Sequence, residues 1–313
     1  MSLLVTGSIG IDTVESPSGK VVDALGGSSI YFAYSASFFT PVRLVGVVGD
    51  DCPPDFLKPL RDNPRIDTTG LEVRRGSRTF RWHGRYHEDV NNRDTVSVEL
   101  NVLAERGPTI PERFRDSEFV FLGNTHPALQ LALLGQLQAA RMVAADTMDL
   151  WIKTEQKPLL ELLTRIDGLL LNDSEAKLLT GRQNTVAAGL EVAKSIQTAV
   201  AAGRRPIHGG FAIVKKGEHG SVLISGEQVV AMPAYPATKV VDPTGAGDSF
   251  AGAFMGFLAE CGSVSPQALR RAMAYGTVTA SFTLEDFSLG RLLTITRADI
   301  DRRLSEYEAM LRM

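Results

Sequence analysis

The sequence predicts an α/β protein with a mostly parallel central sheet, helices that cover it, and a small β-sheet lid. The first observation is that short apolar segments alternate with helical patterns from residue 119 onward, which is typical of repeated βα units. The second is that residues 72–102 break this rhythm and alternate polar with apolar side chains, as a β-hairpin does. The third is that no linker rich in Pro, Gly or Ser divides the 313 residues, so we expect one domain over 1–313.

The first fifty residues predict strand, turn, strand, helix and strand. An apolar strand at 3–5 ends in a glycine turn, and a second strand ends at Gly27. A helix follows, for which Ser28 or Ser29 is the candidate N-cap. Residues 42–49 are apolar enough to predict a buried strand.

The second half of the chain supplies the regular βα alternation. Apolar strands are predicted at 119–122, 142–145, 168–171 and 211–214. Helical patterns are found at 129–140, 186–202, 249–260 and 266–281. Because the carboxyl ends of parallel strands share one edge of a sheet, polar residues after these strands are candidates for a ligand site.

The lid is predicted to consist of two segments, about 13–26 and 68–102. Its second segment is rich in arginine, at positions Arg74, Arg75, Arg78, Arg81 and Arg85. One interpretation is that Arg81, His83 or Arg85 faces an anionic or polyhydroxylated substrate. The alternative is a solvated strand face.

Charge and cysteine content exclude several classes of protein. Thirty-three Lys and Arg against 36 Asp and Glu give a net charge of -3, so we expect no nucleic-acid partner. Cys52 and Cys261 lie far apart without a CxxC pair, which indicates neither a disulfide framework nor a zinc site. No apolar stretch is long enough to span a bilayer and no secretory pattern is present, so we expect a cytoplasmic protein without a membrane partner.

The run 242–248, with the sequence DPTGAGD, predicts an anion site. Gly245, Ala246 and Gly247 let the backbone approach a ligand, and their N–H groups lie at the positive end of the helix that follows. Asp248 would repel a phosphate unless it accepts a proton from an attacking hydroxyl. The alternative is an ordinary helix with an acidic residue in its first turn.

The run 242–255 resembles the C-terminal signature of the ribokinase or PfkB-type carbohydrate kinases. Further segments follow that family's order and spacing, at 7–12, 26–27, 45–50, 172–175 and 215–220. The segment 172–175, NDSE, is similar to the family's Asn-x-x-Glu motif, and 215–220, KKGEHG, resembles its nucleotide-side Gly-x-x-Gly turn. Together these motifs cover the chain from about residue 5 to residue 255.

The resemblance implies a ribokinase-like three-layer α/β/α domain with a lid, ATP along the C-terminal half and substrate between lid and sheet. It implies that Asp248 is the catalytic base. The anion hole would comprise Gly245, Ala246 and Gly247. Candidate substrate-binding residues are Asp12, Gly27, Tyr31 and Asn124. The nucleotide side would comprise Asn172, Glu175, Lys215, Gly217, Gly220 and Thr244, with Asn172 and Glu175 also holding Mg²⁺ through water.

Two departures from the family leave the acceptor open. Many relatives carry Asn where this chain has Gly10 and Tyr31, and those asparagines contact sugar hydroxyls. One hypothesis is an ATP-dependent kinase for the primary hydroxyl of a small sugar or sugar-like alcohol. The other is a nucleoside kinase, in which Tyr31 and Phe32 offer an aromatic surface; core packing is the alternative for both rings. A third hypothesis is a catalytically silent ligand-binding regulator, which the presence of Asp248 and Glu175 disfavours.

Several roles stay open in the sequence. Asp12 could be a turn former, and Asp173 or Ser174 could merely cap a helix. Asp146 lies in a segment similar to one near the site in relatives, and Asp149 is interpreted as a helix cap. The resemblance also allows a monovalent cation near Asp242 and a homodimer formed through the lid.

Overall fold

Thirteen strands and ten helices form within residues 1–201 and 210–311, the parts of the chain that this computed structural model describes. The strands are β1 Leu3–Thr6, β2 Gly10–Ser16, β3 Gly19–Gly26, β4 Val42–Gly49, β5 Ile66–Arg74, β6 Phe80–Tyr86, β7 Arg93–Glu99, β8 Phe119–Leu122, β9 Met142–Asp146, β10 Gly168–Asn172, β11 Phe211–Lys215, β12 Ser221–Ser225 and β13 Gln228–Met232. The helices are α1 Ser28–Ser37, α2 Lys58–Arg61, α3 Pro127–Leu134, α4 Asp149–Thr154, α5 Gln156–Leu163, α6 Asp173–Thr180, α7 Thr185–Ala201, α8 Ala246–Cys261, α9 Pro266–Thr283 and α10 Arg297–Leu311.

Nine strands make one large sheet in the order β13-β12-β11-β10-β9-β8-β1-β4-β5. The seven from β11 to β5 in this order are parallel neighbours, and the only antiparallel pairings among the described strands of this sheet are those of β12 with β11 and with β13, at one edge. Strands such as β8 are buried along their whole length, as expected for a parallel sheet covered on both faces. The predicted mostly parallel sheet is therefore confirmed.

Two hydrophobic cores lie on opposite faces of this sheet. On β1, Leu3 and Val5 belong to the core formed with α1, α8, α9 and α10, whereas Leu4 belongs to the core formed with α3, α5 and α7. On β10, Leu170 faces the first core, and its neighbours Leu169 and Leu171 face the second. This alternation follows from the two-residue period of a strand and confirms the three-layer architecture.

Helix α8 packs unusually close to α1 because its contact face carries glycines. A Cβ at Gly252 would stand 2.9 Å from Cα of Phe32 and closer still to its carbonyl oxygen. One turn later, a Cβ at Gly256 would stand 3.1 Å from Cα of Ala36. The two backbones can reach this distance only without side chains at these positions, and the start of α8 is thereby positioned over α1.

The lid is a separate four-stranded sheet in the order β3-β2-β6-β7. Its central pair, β2 and β6, is parallel, and the outer pairs are antiparallel. Its boundaries differ from the predicted 13–26 and 68–102. Residues 68–74 belong to β5, which pairs with β4 in the large sheet, and the first lid strand already begins at Gly10. The hydrophobic pattern could not tell a strand of one sheet from a strand of the other.

The start of α1 and the end of α3 differ from the bounds that the sequence predicts. The N-cap of α1 is Gly27 rather than Ser28 or Ser29. Both serines bond Ser8 instead: the Ser28 N–H donates to Ser8 Oγ at 3.0 Å, and Ser29 Oγ donates to the Ser8 carbonyl at 2.8 Å. The helix predicted at 129–140 is α3, which ends with Gly135 as its C-cap.

The last residue of the helix predicted at 186–202 lies outside the described residues. The hairpin of β12 and β13 and the C-terminal helix α10 had no counterpart in the sequence analysis. Among the described residues, every helix is too short or too polar to cross a bilayer.

We expect the substitution G252A to destabilise the protein by about 1–3 kcal/mol, because the added methyl forces α8 away from α1. This exceeds the gain of about 1 kcal/mol from replacing glycine by alanine inside a helix. Urea unfolding measures the difference. The control is G135A, where the added Cβ meets the Ala132 carbonyl at an ordinary 3.5 Å; a G252A variant as stable as G135A would contradict the packing argument.

Candidate active site

Polar side chains collect where the parallel strands of the large sheet end. Asn124 follows β8, Asp146 ends β9, Asn172 ends β10 and Lys215 ends β11. These four strands are consecutive parallel neighbours, so the four residues lie along one edge of the sheet. Open α/β sheets bind ligands at this edge. Three of the four are predicted site residues, and Asp146, whose role the sequence leaves open, joins them.

The glycine turn before α8 has a geometry suited to an anion. Gly245 is the N-cap residue and has a φ of +77°, which glycine adopts without strain. The turn is closed by the Thr244 N–H, which donates to Asp242 Oδ1 at 2.8 Å, and by the Ala246 N–H, which donates to the Pro243 carbonyl at 3.2 Å. The next N–H groups of α8 have no acceptor within the helix and lie at its positive end.

The ring of Tyr31 supports this turn from below. A Cβ at Gly245 would overlap Cγ, Cδ1 and Cδ2 of Tyr31, so the bare glycine lies directly on the ring. Tyr31 is 2% exposed. The aromatic surface expected at this position is therefore covered, which favours the core-packing alternative, and contact between Tyr31 and a substrate stays a prediction.

Asp248 lies in the first turn of α8, between the sheet and the lid. Burial raises its pKa, while the positive charges of Lys215 and of Arg93 in the lid act in the opposite direction. The Lys215 ammonium lies next to the first turn of α8, since a Cβ built on Gly247 would stand 2.8 Å from Lys215 Nζ. A half-buried carboxylate beside the positive end of a helix and next to cations is a reasonable proton acceptor.

Asp146 lies near two other acidic residues at the sheet edge, Asp248 and Glu175. It is 6% exposed, and its Oδ1 has no hydrogen-bond partner among the described residues. Burial and the negative charges of Asp248 and Glu175 raise its pKa well above the usual range, against the opposing charge of Lys215. The edge therefore brings together buried carboxyl groups whose ionisation is unfavourable despite the nearby Lys215.

Asp12 is a buried acid on the lid strand β2. Burial raises its pKa to about 7, with contributions from the charges of Asp242 and Asp248, while the Gly27 N–H acts in the opposite direction. Its carboxylate lies over Gly26, where any side chain would overlap it. Its Oδ1 has no partner among the residues described here, and a buried acceptor of this kind is suited to a ligand hydroxyl.

Asn172 and Glu175 hold each other in a capping box. The Glu175 N–H donates to Asn172 Oδ1 at 2.8 Å, and the Asn172 N–H donates to Glu175 Oε2 at 2.7 Å. The cap of α6 is therefore Asn172, not Asp173 or Ser174. The box orients both side chains at the sheet edge, and burial raises the pKa of Glu175.

Asn124 is oriented by the segment after β9. The Trp151 indole N–H donates to Asn124 Oδ1 at 3.0 Å, and Asn124 Nδ2 contacts the Met148 sulfur at 3.1 Å. Asp149 is not the helix cap that the sequence suggests: Met148 is the N-cap of α4, and Asp149 pairs with Lys153 on the surface.

The turn after β11 meets the tip of the lid. Gly217 and Gly220 have φ values of +54° and +79°, and the Lys216 N–H donates to the Gly220 carbonyl at 2.7 Å. Asn91, in the loop between β6 and β7, donates from Nδ2 to Glu218 Oε1 at 3.2 Å. The lid thereby reaches the predicted nucleotide side of the site.

The lid also contacts the anion turn. The Tyr86 hydroxyl lies 3.2 Å from Thr244 Oγ1, and Ser16 Oγ donates to the Val241 carbonyl at 2.6 Å. Because contacts are made at both the anion turn and the turn after β11, this conformation of the lid is closed.

The basic lid residues that the sequence singled out do not face the site. Arg81 pairs with Asp51 at 3.2 Å. Glu15 lies 2.7 Å from Arg85 and 3.1 Å from His83, and hydrogen bonds from Arg85, Lys20 and His83 lower its pKa to about 2. The ion pairs favour the solvated strand face, and substrate binding by one of these residues stays a prediction.

Two other lid residues, which the sequence analysis missed, face the site. Trp82 on β6 is the register partner of Asp12 on β2, so their side chains share one face of the lid. Arg93 is the register partner of Tyr86, and its guanidinium carbon lies 5.5 Å from the centre of the Trp82 ring. The sequence offered one indication of which β6 residues face the site. Aromatic and basic residues alternate along this strand, which places Trp82 and Tyr86 on one face and the arginines on the other.

Comparisons with known proteins agree with this architecture. A family model described as pfkB family carbohydrate kinase matches residues 17–294. A cytidine kinase from Thermococcus kodakarensis is 29% identical over 265 residues, which cover 82% of this chain and 87% of that protein.

Solved structures confirm the predicted ribokinase-like fold. A Burkholderia thailandensis nucleoside kinase in complex with inosine has a TM-score of 0.76 at 20% identity, covering 98% of this chain and 99% of that one. A ribokinase from Thermotoga maritima has a TM-score of 0.71 at 19% identity, covering 97% and 99% respectively.

We expect D12N to stabilise the ligand-free protein at pH 8 and to stabilise it less at pH 5. The pKa of Asp12 is raised from 3.8 to about 7 on folding, so the stability it contributes is present below pH 3.8 and lost as the pH rises through 7. Above pH 7 the buried charge is unfavourable, and removing it should add about 1–3 kcal/mol. Thermal unfolding at both pH values measures this, with D149N on the surface as control; equal destabilisation by D12N at both would contradict it.

Proposed function

The chain belongs to the pfkB family of carbohydrate kinases, and we propose that within this family it is an ATP-dependent nucleoside kinase that phosphorylates the primary hydroxyl of the ribose. The observation that carries this choice is the half-buried Trp82 indole beside Asp12 on the inner face of the lid. It supports an acceptor that has both hydroxyl groups and a flat base.

The acceptor side offers a polar part and an aromatic part. Asp12, with its unpartnered Oδ1, and Asn124 are suited to ribose hydroxyls. The Trp82 ring lies flat over Gly84, where any side chain would overlap the indole, so this glycine keeps the aromatic platform in place. Stacking of a base on an aromatic side chain is worth about 1–3 kcal/mol. A free pentose has no base to stack on this ring.

The relatives support the same choice. The cytidine kinase matches over most of both chains, and the Burkholderia thailandensis protein was solved with inosine. The ribokinase from Thermotoga maritima supports the alternative acceptor, a small sugar or sugar-like alcohol.

In the proposed reaction, Asp248 accepts the proton of the primary hydroxyl as its oxygen forms a bond to the γ-phosphorus of ATP. The bond from that phosphorus to the β–γ bridging oxygen breaks, and ADP leaves. Charge on the transferring group is stabilised by the Gly245 and Gly247 N–H groups of the anion turn and by the nearby Lys215 ammonium, whereas the Ala246 N–H donates to the Pro243 carbonyl.

The nucleotide would lie along the edge that bears Lys215, Gly217, Gly220 and Thr244. Among the residues that the structure describes, no group of three or more His, Cys, Asp or Glu side chains could hold a metal ion by itself. Oxygen donors are nevertheless present, since Asp146 Oδ1 is unpartnered and Glu175 and Asn172 lie nearby, which fits Mg²⁺ held mainly through water and phosphate. When bound, Mg²⁺ neutralises charge on the phosphate oxygens.

A monovalent cation and a homodimer stay predictions. Asp242 Oδ2 is buried without a partner among the described residues, which is compatible with a cation. A homodimer formed through the lid would not use Tyr86 of β6, which is only 7% exposed.

We expect D248N to lower turnover by about 10²–10⁴-fold while ATP still binds, because the substitution removes the proton acceptor and keeps the shape of the side chain. ADP release and calorimetric titration with ATP measure the two effects. The raised pKa of Asp248 also implies that wild-type activity falls on acidification at a pH above the ordinary aspartate value of 3.8. D149N is the surface control, and near-normal turnover of D248N would exclude its role as base.

We expect a substrate panel of cytidine, inosine, adenosine, ribose and fructose to show preference for nucleosides. W82A should lower kcat/KM for the nucleosides by about 10–100-fold and leave ribose unchanged, whereas W82F should keep most of the preference. ADP release measures each pair. Activity confined to free sugars would overturn the proposal, and ligand-induced stabilisation without any ADP release would indicate the silent regulator.

A further inference from the structure

Arg93 differs from four other arginines of the lid region. Arg74, Arg78, Arg81 and Arg85 each form an ion pair with a carboxylate of the lid or its base. Within residues 1–201 and 210–311 no ion pair includes Arg93. An arginine without a carboxylate partner, on the side of the lid that faces the site, is available to an anionic ligand.

The position of Arg93 is determined by two contacts of the closed lid. It lies opposite Tyr86, whose hydroxyl is 3.2 Å from Thr244 Oγ1 at the anion turn. Two residues earlier in the chain, Asn91 binds Glu218 at 3.2 Å, at the turn after β11. Arg93 is therefore held between the anion turn and the nucleotide-side turn.

The charge of Arg93 acts on the central acids of the site. It lowers the pKa of Asp248 and of Glu175, and the guanidinium carbon lies 5.5 Å from the centre of the Trp82 ring, on the lid face that carries Asp12. Lys215 acts on the same two acids from the sheet. The space between these acids and the anion turn is thus flanked by one cation from the sheet and one from the lid.

We propose that Arg93 is a catalytic residue delivered by the lid, which binds the phosphoryl group during its transfer from ATP to the acceptor hydroxyl. The planar guanidinium can donate two hydrogen bonds to phosphate oxygens, which the Lys215 ammonium cannot do in the same geometry. As the acceptor oxygen bonds to phosphorus, the bridging bond breaks and the proton passes to Asp248, the guanidinium offsets charge on the non-bridging oxygens. An open lid would withdraw Arg93, so transfer would require closure over both substrates.

This inference rests on the proposed kinase reaction but not on the identity of the acceptor. We expect R93A to lower kcat by about 10²–10³-fold with little change in KM for the acceptor, and R93K to recover part of the loss. Added guanidinium should partly restore R93A. The control is R85A, which removes an arginine of the same hairpin that is bound to Glu15. A kcat for R93A within threefold of R85A would overturn the proposal.

The pH profile separates a catalytic role from a structural one. The charged groups that face Asp248 come from four strands and the anion turn: Lys215 on β11, Asp146 on β9, Asp12 on β2, Arg93 on β7 and Asp242 before α8. Arg93 lowers the pKa of Asp248, and R93A removes this effect while the other charged groups stay in place. The acid limb of kcat/KM should therefore move to higher pH in R93A and not in R85A. An unchanged acid limb, together with no rescue by guanidinium, would assign Arg93 a structural role only.

A binding measurement makes the test independent of the acceptor. Calorimetric titration of R93A should show at least a tenfold loss of affinity for ATP and no loss for ADP, because only ATP carries the γ-phosphate. Equal effects on both nucleotides would overturn the proposal. If the wild type phosphorylates a free sugar and no nucleoside, the nucleoside assignment fails, and the kinetic test of Arg93 is run with that sugar.

Discussion

The close approach of α8 to α1 is the constraint on which the rest of the site depends. Gly252 and Gly256 let the two helix backbones touch, which positions the beginning of α8 over the first turn of α1. There Gly245 lies on the ring of Tyr31, so the anion turn has a rigid floor. Asp248, one turn into the same helix, is then directed toward the sheet edge where Lys215 ends β11.

This arrangement concentrates buried negative charge. Asp12, Asp146, Asp242 and Asp248 all have raised pKa values, chiefly because of burial. Burying charge without full compensation is unfavourable, so the ligand-free site is less stable than the surrounding fold. Hydroxyl donors, cations and the closed lid are the groups able to satisfy these acids. The lid is therefore part of the electrostatics of the site as well as its cover.

The lid illustrates how a correct prediction of elements can give a wrong assignment of residues. The alternating pattern of β6 and β7 predicted a hairpin, and the hairpin is present. The arginines of that pattern were visible, but their partners were not, because Glu15 and Asp51 come from other segments of the chain. Only the folded lid shows that Arg81 and Arg85 are neutralised while Arg93 faces the site.

The sequence alone determined the α/β class, the parallel strands, the anion turn at Gly245 and the candidate base Asp248, because each depends on a local pattern or a contiguous motif. It also predicted that the acids after the strands would share one edge, since parallel strands end together. Tertiary structure decided which sheet β5 joins, how Tyr31 is covered and which lid residues face the site. Those features depend on contacts between segments far apart in the chain, and hydrophobic periodicity carries no information about such pairings.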